Sequence, residues 1–177
     1  IVSASRSTDI PAYFSTWFME RLKRGYCCWY NPFNMGSPYY VSFAKTRMIV
    51  FWSKNPRPML AHLPELDRLG IHYYFQFTVN DYESEGLEPN VPSLASRIET
   101  FRRLSATIGP QRVIWRFDPI FFTPQITPEV VIRRIYRISR ELKGLTNKLV
   151  FSFMDVRGYR KVQSNLSRER FFAEGGY

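Results

Sequence analysis

The chain has 177 residues, of which 45% are hydrophobic and 17% aromatic, and 25 Lys and Arg against 15 Asp and Glu give a formal charge of +10. That composition suits one well-buried core, since chains of this size bury roughly 70% of their unfolded surface. No run approaches the ~20 apolar residues of a membrane span, no basic-then-apolar leader opens the chain, and adjacent Cys27 and Cys28 exclude a disulfide framework.

The expectation is therefore a cytoplasmic protein whose natural amino terminus lies upstream of Ile1, since the chain starts inside a strand-like run. "IVSAS" (1–5) predicts a short strand and "RSTD" a polar turn. Pro11 then opens an amphipathic helix through "AYFSTWFMERLKRG", with Phe14, Phe18 and Leu22 at four-residue spacing and Gly25 as a stop. "YCCWYNPFN" and "YYVSF" flank the turn-rich "NMGSP" as a hairpin or an elaborated loop.

"RMIVFWSKNP" (47–56) predicts a buried strand, followed by a helix in "PMLAHLPELDRLG" that Gly70 ends. "YYFQFTVND" (73–81) is an aromatic strand that puts Gln76 and Thr78 on one face. Ser93 is an N-cap for "LASRIETFRRLSATIG", and Thr127 with Pro128 starts "EVVIRRIYRISRELKG". Between them "VIWRFDPIFF" (113–122) is a strand carrying Ile114, Arg116 and Asp118 on one face. "KLVFSFMD" (148–155) is a further strand, and the tail from Arg157 reads as loop and the start of a helix.

Repeated strand and helix units predict an α/β fold with mainly parallel strands. Both a doubly wound sheet and a (βα) barrel satisfy the pattern. A full eight-unit barrel takes about 250 residues, so the barrel form here is a partial, TIM-barrel-like one, read as a single domain over residues 1–177.

Ligands of either architecture bind beyond the carboxyl ends of the strands. Ser5, Arg6 and Asp9 follow the first strand, Asn31 and Asn34 sit around "NPFN", and Lys54 and Asn55 follow "VFWS". Gln76, Thr78 and Asn80 come from the aromatic strand, Arg116 and Asp118 from "VIWRFDP", and Ser152 and Asp155 from "SFMD". Each has a plainer role. Asp9 or Thr8 caps the next helix, Arg116 and Asp118 bridge strand ends, and Gln76 finds a partner on a neighbouring strand.

His62 lies in a helix and His72 at a strand's amino end, so a Ser/His/Asp triad or a histidine-rich zinc site has no foundation. There is no GxGxxG and no P-loop, and two adjacent cysteines cannot supply an iron–sulfur cluster. The arginines of the three predicted helices read mainly as solvated faces, though the charge permits nucleic acid. Trp17, Trp29, Trp52 and Trp115 are expected to be mostly core.

"SASRSTDIPAYFSTWF", "NPFN", "IVFWSKNP", "YYFQFTVN", "RVIWRFDPI" and "VFSFMD" together resemble, in order and spacing, the bacterial family of domain of unknown function 1848. Its members are similar to radical S-adenosylmethionine enzymes with a partial (βα) barrel. The resemblance implies S-adenosylmethionine and a four-iron four-sulfur cluster, held by a cysteine-rich segment beyond the barrel strands that these 177 residues do not contain.

Under that reading Arg116 pairs with a carboxylate, Asp118 orients Arg116 or accepts ribose hydroxyls, and Lys54, Asn55, Gln76 and Thr78 position cofactor or substrate, with a nucleotide or nucleic acid as the partner class. The alternative expectation is a non-catalytic module that binds nucleic acid or an anionic ligand through a basic, aromatic rim.

Overall fold

The computed structural model describes residues 1–4, 8–31, 34–155, 164, 166 and 171. The strands are β1 (Val2–Ala4), β2 (Tyr26–Asn31), β3 (Asn34–Ser42), β4 (Met48–Ser53), β5 (His72–Thr78), β6 (Val113–Ile120) and β7 (Leu149–Phe153). The α-helices are α1 (Ile10–Tyr13), α2 (Ser15–Arg24), α3 (Leu63–Arg68), α4 (Leu94–Ile108) and α5 (Pro128–Glu141).

Five strands form one sheet in the order β1-β4-β5-β6-β7, and β2 and β3 form a separate two-stranded sheet. β1 pairs with β4, and β6 with β7, in parallel. The fold is thus α/β with a mainly parallel sheet, as the alternation of elements predicts. Among the described residues the sheet is not closed, and a partial barrel, the form expected of a chain of this length, is neither required nor contradicted by the strand order.

The chain divides into two compact units, Ile1–Gln76 and Phe77–Tyr177. In the first, the single helix expected after Pro11 is two helices. Phe14 interrupts it at φ −133° and ψ 23°, a conformation outside the helical range, and its ring is left 45% exposed while Phe18 and Leu22 are buried. Gly25 ends α2 at φ +81°, where a side chain would be strained. The hairpin reading holds for the pairing but not for the turn: β2 and β3 are antiparallel, with a register slip between Tyr30 and Asn31, and "NMGSP", expected as the turn, belongs to β3. The core of this unit is aromatic: Phe51 stacks on Phe75 at 4.9 Å and meets Phe18 edge-on at 5.6 Å.

In the second unit, α4 starts where Ser93 Oγ accepts from the Ser96 N–H at 3.3 Å, and α5 where Thr127 Oγ1 accepts from the Val130 N–H at 3.5 Å. α4 lays its apolar stripe on the sheet, with Phe101 stacked on Phe77 at 5.3 Å. β6 alternates cleanly: Val113, Trp115 and Phe117 are buried while Ile114, Arg116 and Asp118 are half-buried on the opposite face. Most of the tail expected to be loop and helix lies outside the described residues.

Of the tryptophans expected in the core, only Trp115 is fully buried; Trp17 is 39% and Trp29 45% exposed. Trp115 gains its place by donating its indole N–H to the Val79 carbonyl at 2.8 Å, which satisfies the one polar atom of a buried ring. No helix among the described residues is long and apolar enough to cross a membrane.

Candidate functional site

The polar residues brought into contact in the second unit sit where β5 ends and β6 approaches its own end. Because both Arg116 and Asp118 leave β6 on the same face, the long guanidinium reaches forward two residues along its own strand. Its Nε donates to Asp118 Oδ1 at 3.2 Å and its Nη2 to Oδ2 at 2.7 Å, a two-point fork on the carboxylate. Thr78 at the end of β5 adds its hydroxyl to Oδ1 at 3.3 Å. The pair is largely covered, with side-chain exposures of 12% for Arg116 and 20% for Asp118. The carboxylate partner of Arg116 is therefore supplied by its own strand.

A second layer fixes the backbone beneath the pair. Asn80, fully buried, donates its amide to the Asp118 carbonyl at 3.2 Å and accepts from Arg97 Nη1 at 3.0 Å. Arg97 comes from the first turns of α4 and is only 3% exposed. Glu83 faces it at 3.7 Å and also accepts from the Leu94 N–H at the start of the helix. Burial lowers the Arg97 pKa, and the charges of Glu83 and Asp81 oppose that shift. The Arg97 Nε has no hydrogen-bond partner among the described residues. Sequence reasoning passed over Arg97, although the signal was present: Arg97, Phe101, Leu104 and Ile108 fall on one helical stripe, so a charge there lies on the apolar face.

Tyr82 was likewise missed. Its hydroxyl donates to the Pro119 carbonyl at 2.8 Å, its ring meets Phe121 at 4.8 Å and Phe117 at 6.0 Å, and the Arg134 guanidinium lies 5.7 Å from the ring centre. Arg134 in turn forks onto Glu85, at 2.6 Å for the closer contact.

Burial pushes the Tyr82 phenol far above its ordinary value, against a smaller downward pull from Arg134. An unfolded tyrosine loses its proton near pH 10 while the folded one keeps it, so above that pH the unfolded state binds fewer protons and stability falls as pH rises. Urea unfolding at about pH 9 and about pH 11 is expected to show a steeper loss than in Tyr82→Phe, by up to about 1.4 kcal/mol per pH unit. Equal slopes in both proteins would remove Tyr82 as the source.

The other predicted residues fall as follows. Asp9 caps α1, accepting from the Ala12 N–H at 3.0 Å, and its second oxygen accepts from the Lys54 N–H at 2.7 Å, which ties the helix start to the end of β4. Asn55 donates its N–H to the Ser53 hydroxyl at 2.9 Å, and the side chains of Lys54, Asn55 and Gln76 are half-buried. Val150 is in register with Arg116, so Ser152, two residues on, shares that face of the sheet and is exposed. Asp155 is exposed just past β7. Ser5 and Arg6 lie outside the described residues, as does the side chain of Asn31. The structure thus joins Thr78, Arg116 and Asp118 in one unit and Asp9 with the Lys54 backbone in the other.

Chemically, the β5–β6 cluster is polar but internally balanced. One cation, one anion, a hydroxyl and a buried amide are held by one another, and no group of three potential metal ligands occurs among the described residues. The family described as Domain of unknown function (DUF1848) matches residues 1–174. No curated protein and no solved structure matches the chain.

Proposed function

We propose a ligand-binding role for this chain, which belongs to the family described as Domain of unknown function (DUF1848): the surface around Thr78, Arg116 and Asp118 meets a nucleotide-class ligand. The arrangement is read as an open arc of a (βα) barrel, because the order β1-β4-β5-β6-β7 runs in one direction without the reversal of a doubly wound sheet. Such folds present ligand-binding groups at the strands' carboxyl ends.

The observation that carries the reading is the forked Arg116–Asp118 pair with Thr78, fixed from below by Asn80 and still partly open to solvent. A balanced cluster of this kind offers donors and acceptors to hydroxyls and base edges. The charge of +10 draws the phosphates toward the chain.

Titration with the common nucleosides and nucleoside monophosphates, followed by amide chemical shifts, tests this. Saturable binding that moves the signals of Thr78, Arg116 and Ser152 is expected, weakened about tenfold in Thr78→Val, which removes a hydroxyl and keeps the volume. Absence of saturable binding to any of these compounds overturns the reading.

The one-directional strand order also favours a second reading, a radical S-adenosylmethionine-type enzyme. S-adenosylmethionine is itself a nucleoside-class ligand, so the two readings share recognition chemistry and differ in the cluster. A four-iron four-sulfur cluster does not fit these residues. The sequence holds two cysteines, at adjacent positions of β2 where side chains alternate in direction, and such a cluster takes several thiolates. Iron and acid-labile sulfide in the native gene product purified without oxygen decide this reading: about four irons per chain support it, and none overturns it.

A further inference from the structure

Within residues 1–76, β1, the α1–α2 junction and the inner face of the hairpin surround a concave space of about 530 Å3. That is the size of a small-molecule site, roughly 300–1,000 Å3. Alternation along the hairpin builds one wall: Cys27 and Trp29 share a face of β2, and Val41 lies directly across from Cys27 on β3. The break at Phe14 builds another, since it turns the Phe14 ring toward the space beside Trp17, the two rings meeting edge-on at 6.5 Å. Phe43 closes it from the buried side. No Asp or Glu borders the space among the described residues.

Arg21 stands at its margin on two separate grounds. Its guanidinium carbon is 6.0 Å from the Trp17 ring centre. Its charge also acts on the Cys27 thiol, partly opposing the upward push that burial and Cys28 exert there. Lys23, two residues along α2, is engaged with Glu65 at 3.0 Å, whereas among the described residues no carboxylate pairs with Arg21.

We propose that this space binds an apolar anion, a ligand with a flat or acyl hydrophobic body and one carboxylate, sulfonate or phosphate group. The body lies against Phe14, Trp17 and Trp29, whose rings are 39–45% exposed and gain from being covered. The anionic group meets Arg21, whose fork matches such oxygens. The site is built from residues 1–76 and the nucleotide-class surface from residues 77–177, and different probes and variants test the two, so either can fail alone.

The test uses the folded chain with anilinonaphthalene sulfonate and its uncharged counterpart N-phenylnaphthylamine. Both are expected to saturate one site and to quench tryptophan fluorescence over the same concentration range. Arg21→Gln is expected to weaken the sulfonate about tenfold and the uncharged probe by less than about twofold. Trp29→Ala, with an unchanged far-ultraviolet circular dichroism spectrum, is expected to weaken both. Equal losses of the two probes in Arg21→Gln, binding that does not saturate, or indifference to Trp29→Ala overturns the proposal.

Discussion

Replacing Phe51 by alanine is expected to lower the unfolding free energy by about 3–5 kcal/mol, the range for removing a fully enclosed aromatic ring. Phe51 sits in the middle of β4 with no solvent exposure, stacked on Phe75 at 4.9 Å and touched edge-on by Phe18 at 5.6 Å and Tyr73 at 6.4 Å. Neighbours from β5 and α2 thus converge on one ring, and none can follow it inward without leaving its own strand or helix. The cavity therefore stays largely open, which puts the expected loss toward the upper part of the range. Urea unfolding should show a lower midpoint with an unchanged slope, because the surface exposed on unfolding barely differs. Tyr40→Ala is the contrast: that ring is 70% exposed on the hairpin, and its loss should stay within about 0.5 kcal/mol. A Phe51→Ala protein that loses less than about 1 kcal/mol would mean that the aromatic cluster repacks, and that it is not what holds residues 1–76 together.

The same ring shows why much of the fold is legible in the sequence. "MIVFWS" is an apolar run bounded by turn residues, and such a run has few options other than a buried strand. Ser93 and Thr127 announce helix starts because a side-chain oxygen satisfies a free N–H locally, with no distant partner needed. Gly25 announces a stop for an equally local reason.

What stayed hidden depends on partners remote in sequence. Nothing near Phe14 signals a helix break, since the i, i+4 spacing of Phe14, Phe18 and Leu22 looks continuous. Tyr26, Cys28 and Tyr30 alternate with Cys27 and Trp29, so both faces of β2 carry aromatic rings and alternation alone cannot assign the buried one. Arg97 was legible as a misfit on an apolar stripe, but its engagement with Asn80 and Glu83 required the fold. For the β5–β6 cluster, the period of a strand gave the direction of Arg116 and Asp118. It could not give their separation, on which the difference between a bridge and an open cation depends.

A double-mutant cycle on that pair addresses the difference. Asp118→Ala is expected to lower stability by about 3 kcal/mol: fully buried pairs lose about 3–5 when one partner is removed, and the exposures of 12% and 20% call for a discount. The substitution takes the carboxylate from the Arg116 fork and from the Thr78 hydroxyl together, inside a surface that water reaches only in part. Arg116→Ala is expected to be milder, about 2 kcal/mol, because Asp118 keeps the Thr78 hydroxyl and its own carbonyl stays bonded to Asn80. The double variant should lose clearly less than the sum, leaving a coupling of about 1.5–2 kcal/mol, since the second substitution removes a group whose half of the fork is already gone. Urea unfolding of the four proteins measures it. A coupling below about 0.5 kcal/mol would mean the fork contributes little to the folded state. A large coupling keeps the guanidinium committed to its own strand, so that a ligand at this surface must be recognised by shared hydrogen bonds and not by capture of the arginine's charge.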